Sequence, residues 1–172
     1  MLLEEVCEAL EPALARGEGD GLTRYVDLTT GGAGHAHAVA TRFVPDEMWL
    51  FDRDLEALAE AKSRLEGVQP QLHFVHAPFS EAAERLADAG VEAVNGILAD
   101  LGVSSHQLDA GRRGFSFRVD APLDMRMDPS RGRSAAQFIA DSSESELTHI
   151  LRRYGEEPDA KRIARAIVEA HP

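Results

Sequence analysis

Three aspartates and one glycine turn hold most of the chemistry that can be read from this 172-residue chain. The stretch "DLTTGGAGHA" (27–36) begins with Asp27 and runs through Gly31, Gly32, Ala33 and Gly34. Asp52 follows in "FDRD", and Asp100 closes "ILAD". Glycines let a backbone approach a ligand with no Cβ in the way. No Gly-Lys-Ser/Thr follows, so the turn is not a P-loop. It is also a poor dinucleotide fingerprint, because Gly31, Ala33 and Ala36 would stand at the three glycine positions. A carboxylate after the second strand suits ribose hydroxyls in either nucleotide class. A further acid at the first turn would repel a pyrophosphate. S-adenosylmethionine has no phosphate; it carries a sulfonium and an ammonium, and an acidic mouth attracts both. Asp27, the turn and Asp52 therefore favour that cofactor over NAD and its relatives. The same residues also fit a plain tight strand–helix turn with solvated carboxylates.

These residues depend on a particular order of elements. "RYVDLTT" (24–30), "MWLFD" (48–52), "LHFVHA" (72–77) and "VNGILADLG" (94–100 for the strand) read as four strands. Helical patterns separate them: "HAHAVATRF" (35–43), "DLEALAEAKSRLEG" closed by Gly67, and "SEAAERLADAG" with Ser80 as N-cap and Gly90 beyond its end. Strands alternating with helices predict an α/β fold with a parallel sheet, and ligands of such sheets bind at the carboxyl ends of the strands. Asp27, Asp52 and Asp100 all fall at those ends. Asp100 is placed to accept a hydrogen bond from an amine, to hold cofactor or to orient the next loop. Ser104, Ser105 and Gln107 add neutral polar groups able to read a base or cofactor edge, or to make turns.

The pattern changes after Gly102. Residues 103–133 form a long loop without periodicity, of a length that is usually functional inside a compact domain. "SAAQ" (134–137) and "SESE" (143–146) fit capping boxes, and Pro158 opens "PDAKRIARAIVEA". The reading is thus 1–102 for the sheet part, 103–133 for the loop and 134–172 for the start of a small helical domain.

The formal charge of −12 belongs entirely to the first hundred residues. Arg112, Arg113, Arg118, Arg126, Arg131 and Arg133 cluster between 112 and 133, interleaved with Asp120, Asp124 and Asp128. That cluster is either an RNA or anion contact, with Arg112, Arg113 and Arg118 as its candidates, or a set of internal ion pairs. Cys7 is the only cysteine, which excludes an internal disulfide and a cysteine zinc site, and no metal is expected. No apolar run nears the ~20 residues of a membrane helix. A cytoplasmic protein without a membrane partner is the default. Cys7 lies far in sequence from the strand-end residues, which disfavours a covalent cysteine mechanism for base methylation. Direct transfer to an exocyclic amine needs only alignment and a group to share the proton.

The segments "LLEEVCEAL", "YVDLTTGGAGHA", "FDRD", "GILADLGVSSHQLD", "RGFSFRVDAPLDMRMDPSRG", "SAAQFIA" and "YGEEPDAKRIARAIV" occur here in a specific order. In that order they resemble the bacterial small-subunit ribosomal RNA cytosine-N4 methyltransferases, the MraW/RsmH family. The resemblance runs from residue 2 to about 169, and "GFSF" followed by "LDMRMD" is its most specific part. It implies a class I, Rossmann-like methyltransferase sheet with a helical domain inserted after strand four. It implies S-adenosylmethionine as cofactor and methyl transfer to N4 of a cytosine in the decoding region of 16S ribosomal RNA. By motif, cofactor contacts fall on Ala33, Gly34, His35, Asp52, Phe79, Asp100 and Gln107, with Ala33 where many relatives have glycine. Asp100 is also the candidate catalytic group. Family members are longer, so a chain truncated at the C-terminus, with the later strands absent, is expected, and its own activity is open. The alternatives are a non-catalytic fragment that binds cofactor or a partner, and a methyltransferase acting on a small molecule.

Overall fold

A computed structural model describes residues 2–15, 21–104, 113–116 and 118–170. The chain divides into two compact units, 1–106 and 107–172. The first is α/β. Helix α1 (Leu3–Leu14) precedes β1 (Arg24–Asp27), α2 (Gly34–Arg42), β2 (Glu47–Asp52), α3 (Leu55–Arg64) and β3 (Gln71–His76). A 3₁₀ turn (Phe79–Glu81), α4 (Ala82–Asp88) and β4 (Gly96–Leu98) complete it. The four strands are all parallel, in the order β3-β2-β1-β4.

Strand β2 shows why the sheet forms. Met48, Trp49, Leu50 and Phe51 are all buried, as expected of a central strand covered on both faces. Met48 and Leu50 join Tyr25 in a core with Leu14, Val39, Ala61 and Leu65, from α1, α2 and the α3 end. Trp49 and Phe51 join Val26, Ala77 and Ala82 on the opposite face. Trp49 also stacks on its cross-strand partner His73, ring centroids 4.1 Å apart. Helix α1 comes so close to β4 that a Cβ on Gly96 would lie 3.1 Å from Leu10 Cδ2.

Strands one and four are shorter than the sequence suggests. Strand β1 ends at Asp27, although Leu28 N–H still donates to Leu98 O and Thr30 N–H to Phe51 O, each at 2.9 Å. Ser80 is no N-cap. It lies inside the 3₁₀ turn, whose entry is set by Pro78 in extended backbone, and α4 starts two residues later.

The second unit is helical in its described part: α5 (Ala135–Asp141), α6 (Glu144–Tyr154) and α7 (Ala160–Ala170). Both expected capping boxes are present, at Ser134 with Gln137 and at Ser143 with Glu146. The loop before α5 is tied down by backbone bonds. Met125 N–H donates to Arg113 O at 2.7 Å, and Ala135 N–H to Asp124 O at 2.7 Å. Among the described residues, no helix is long and apolar enough to cross a membrane.

Candidate cofactor site

The strand ends of the first unit converge on the glycine turn. Asp27 ends β1 and is 1% exposed. Its Oδ1 accepts the Thr29 N–H at 3.1 Å and its Oδ2 the Tyr25 hydroxyl at 3.4 Å. Burial pushes its carboxyl pKa up to about 7, and the nearby Asp52 and Asp100 charges push the same way. The Thr29 and Tyr25 donors oppose the shift and do not cancel it. Tyr25 is itself raised, first by burial and then by the Asp27 charge.

Asp52 ends β2. Its Oδ2 accepts the Gly31 N–H at 2.8 Å, and its Oδ1 the Asp54 N–H at 2.9 Å. Burial raises its pKa, against the pull of the Asp54, Gly31 and Arg53 amides. With the Arg53 amide also turned to the carboxylate, acceptor capacity is left for a further hydroxyl donor. Asp27 and Asp52 therefore both bond the backbone N–H two residues on, the Asx-turn habit of aspartate at the end of an element.

Between them the chain must turn sharply. Gly31 (φ 50°) and Ala33 (φ 58°) are both left-handed. Alanine there costs ~1–2 kcal/mol of backbone strain, and its methyl, fully buried, returns part of that by packing. Ala33 precedes α2 with no side-chain cap on the helix N-terminus, and there is no acidic residue in the first turn. The first amides of α2 are thus orphan donors aimed where an anionic group is favoured.

His35 is 8% exposed. Its Nδ1 lies 4.0 Å from Asp100 Oδ2, and its Nε2 is buried without a hydrogen-bond partner. The Asp100 side chain is 58% exposed, open to a ligand. Phe79, at the start of the 3₁₀ turn, is half-exposed rather than part of the core, as a stacking platform would be. The structure thus gathers Ala33, Gly34, His35, Asp52 and Asp100 around one turn. Gln107 and Arg112 lie outside the described residues.

Two residues of this site were missed in the sequence. The Thr29 hydroxyl accepts the Asp100 N–H at 2.7 Å, joining the glycine turn to the segment after β4. Arg64, at the end of α3, donates to the Gly32 carbonyl at 2.6 Å. A threonine two residues past a strand-end aspartate is a legible turn signal, but its long-range partner is not. Nothing in the α3 pattern singles out Arg64.

The arginine cluster is mostly engaged within its own unit. Arg126 pairs with Asp124 at 2.7 Å, Arg131 with Asp128 at 3.5 Å and Arg133 with Asp141 at 3.0 Å. Arg113 donates to the Met127 carbonyl at 2.8 Å and lies over the Phe115 ring. Arg118 is exposed, and among the described residues its backbone N–H donates to Ser116 Oγ while its side chain holds no carboxylate. Internal ion pairs therefore account for Arg126, Arg131 and Arg133, three of the six arginines.

A family model described as the MraW methylase family matches residues 1–172. The chain belongs to that family. Relatives of this MraW-family chain bear the name ribosomal RNA small subunit methyltransferase H. One from Citrifermentans bemidjiense is 48% identical over 171 residues, covering 99% of this chain and 53% of the relative. Another from Salinispora tropica is 49% identical over 168 residues, covering 98% and 45%. A third, from Azoarcus, is 52% identical over 147 residues, covering 85% and 46%. The chain spans about half the length of these curated relatives.

Proposed function

We propose that this MraW-family chain binds S-adenosylmethionine at the β1–α2 turn and serves methyl transfer to N4 of a cytosine in the decoding region of small-subunit ribosomal RNA. The observation that carries the cofactor half is the Gly31–Asp52 bond. A dinucleotide fold keeps the amides of this turn for a pyrophosphate. Here a carboxylate takes the Gly31 N–H at 2.8 Å, and Asp27 and Asp100 add to its field. Phosphate would meet carboxylates, whereas a sulfonium and an ammonium are attracted by them. The residues present fit the cofactor. Asp52 offers its remaining acceptor capacity to a ribose hydroxyl, the uncapped α2 amides of Gly34 and His35 suit the carboxylate of its amino-acid end, and Phe79 offers a face to adenine.

The cofactor supplies an electrophilic methyl group. The chain's own part is placement and proton handling. Asp100 accepts an N–H of the cytosine amine, favouring the more pyramidal nitrogen needed for attack, with His35 Nδ1 4.0 Å from its Oδ2. General-base help of this kind contributes typically 10²–10⁴-fold. The ribosomal RNA substrate rests on the names of the relatives, and it implies the small ribosomal subunit as partner and a cytoplasmic setting.

Isothermal titration of the chain with S-adenosylmethionine and, separately, with NADH tests the cofactor. Binding of NADH in preference to S-adenosylmethionine sinks the assignment. Methyl incorporation into small-subunit RNA, mapped to the modified base, tests the reaction.

A further inference from the structure

On the helices of the second unit, three cations without a carboxylate partner lie close together along the chain. Arg162 pairs with Asp159 at 2.8 Å and Arg165 reaches Glu144 at 3.6 Å, in addition to the paired arginines of the preceding loop. Among the described residues, Arg152, Arg153 and Lys161 are exposed and hold no carboxylate. Arg152 and Arg153 lie in the last turn of α6, and Lys161 is the second residue of α7, across a short turn. Between them Tyr154 ends α6 at 77% exposure, the highest of the exposed large hydrophobic residues.

The turn that presents Tyr154 is built, not slack. A Cβ on Gly155 would lie 2.8 Å from the Leu151 carbonyl oxygen. Glu156 adopts a left-handed φ of 51°, which a non-glycine residue does at a cost. Glu157 N–H donates to Leu151 O at 3.1 Å, and Glu157 Oε1 accepts the Asp159 N–H at 2.9 Å. A shallow groove with Lys161, Arg162 and Arg165 on its wall starts from the same end of α7.

We propose that this α6–α7 tip is a contact for single-stranded RNA, with Tyr154 stacking on an unpaired base and Arg152, Arg153 and Lys161 holding the neighbouring phosphates. The inference rests on the RNA reading above and names the surface that serves it. An exposed ring flanked by unpaired cations matches a nucleotide with a free π-face next to charged oxygens. A duplex buries its base faces and would leave Tyr154 unused. Glu156 and Glu157, in the same turn, cut the +3 of Arg152, Arg153 and Lys161 to a net +1. The tip therefore suits one or two nucleotides and not a long backbone track.

The test is fluorescence anisotropy of the full chain with a short unstructured RNA oligonucleotide and with the duplex of the same sequence, across a salt series. Tyr154→Ala should weaken single-strand binding ~10-fold, the scale of one stacked base, while Tyr154→Phe stays close to the parent. The triple change of Arg152, Arg153 and Lys161 to Ala should flatten the salt slope by about 2, at ~0.7 per lost phosphate contact on a single strand. Circular dichroism should show all variants folded, since these positions are exposed. If the parent binds RNA and both the Tyr154→Ala and triple variants bind equally well, the tip is not the contact and the RNA reading stands. If Tyr154→Ala weakens duplex as much as single strand, stacking on an unpaired base is wrong. If the parent binds neither RNA form, this inference falls together with the RNA substrate.

Discussion

Replacing Asp27 with Asn should stabilise the ligand-free protein at neutral pH. Asp27 is buried at 1% exposure, and its carboxyl titrates at about 7, raised from 3.8. Between those two values the folded state holds a proton that the unfolded state has released. The native form then binds more protons, so stability falls as pH rises from about 4 to 7 and is level above that. The shift of about three units, at ~1.4 kcal/mol each, makes ionised Asp27 cost about 4 kcal/mol at pH 8. That is a large part of the ~5–15 kcal/mol that holds a domain together. Asn keeps an oxygen for the Thr29 N–H and removes the charge. Urea unfolding of parent and Asp27→Asn at pH 5 and pH 8, without ligand, measures the difference. Asp52 is also raised and titrates in both proteins, so most of its effect cancels in the comparison. The advantage of Asn should grow by about 3 kcal/mol from pH 5 to pH 8, two units of the window lying above pH 5. An advantage that does not change with pH, or a loss at pH 8, would refute the reasoning and mean that Asp27 is ionised at little cost.

Other outcomes follow from the same geometry. Asp52→Ala should weaken S-adenosylmethionine binding by about 1.5–3 kcal/mol, the scale of hydrogen bonds to a charged group; calorimetry giving unchanged affinity removes Asp52 from the site. Thr29→Val should strip the Asp100 N–H of its acceptor while Thr29→Ser keeps it, so amide exchange at Asp100 should speed up in the valine variant alone; equal exchange in both means that the 2.7 Å bond contributes nothing. Asp100→Asn, in a protein shown to methylate, should slow single turnover at saturating cofactor by 10²-fold or more; a rate within a few-fold of the parent leaves Asp100 as a cofactor contact only. Ser143→Ala should cost about 1 kcal/mol by removing the α6 cap, read by thermal melting, and no change would show that the capping box is dispensable.

Local signals carried most of the fold. The apolar run Met48–Phe51 and the boxes at Ser134 and Ser143 act within a few residues, so periodicity and capping rules reach them directly. The same holds for the strand-end aspartates, whose bonds to the amides two residues on are local. What escaped was non-local or competed for. Thr29 finds its partner 71 residues away, and Arg64 finds its carbonyl 32 residues back. Ser80 had the right type for a cap, but Pro78 set the entry and a 3₁₀ turn took its place. The charges at 112–133 were countable, yet which carboxylate each would meet depended on a loop path that composition does not encode. Arg133, for example, reaches past its own loop to Asp141.

Strand order also sets an order of assembly. Arg24 pairs with Glu47 and Glu47 with Gln71, partners some two dozen residues apart, whereas Tyr25 pairs with Gly96. Closing the longer loop costs about 1 kcal/mol more in chain entropy, since that cost grows with the logarithm of loop length. Strands β1 to β3, with the glycine turn and Asp52, can therefore form an early nucleus, and β4 docks on it later, bringing Asp100. On a growing chain the first three strands also leave the ribosome before β4 does. The half of the crevice built on the Gly31–Asp52 bond would be shaped before the Asp100 carboxylate arrives. Pulse-labelled hydrogen exchange during refolding should show amides of β2 protected ahead of Leu28 and Asp100, whose bonds to Leu98 and Thr29 close the site.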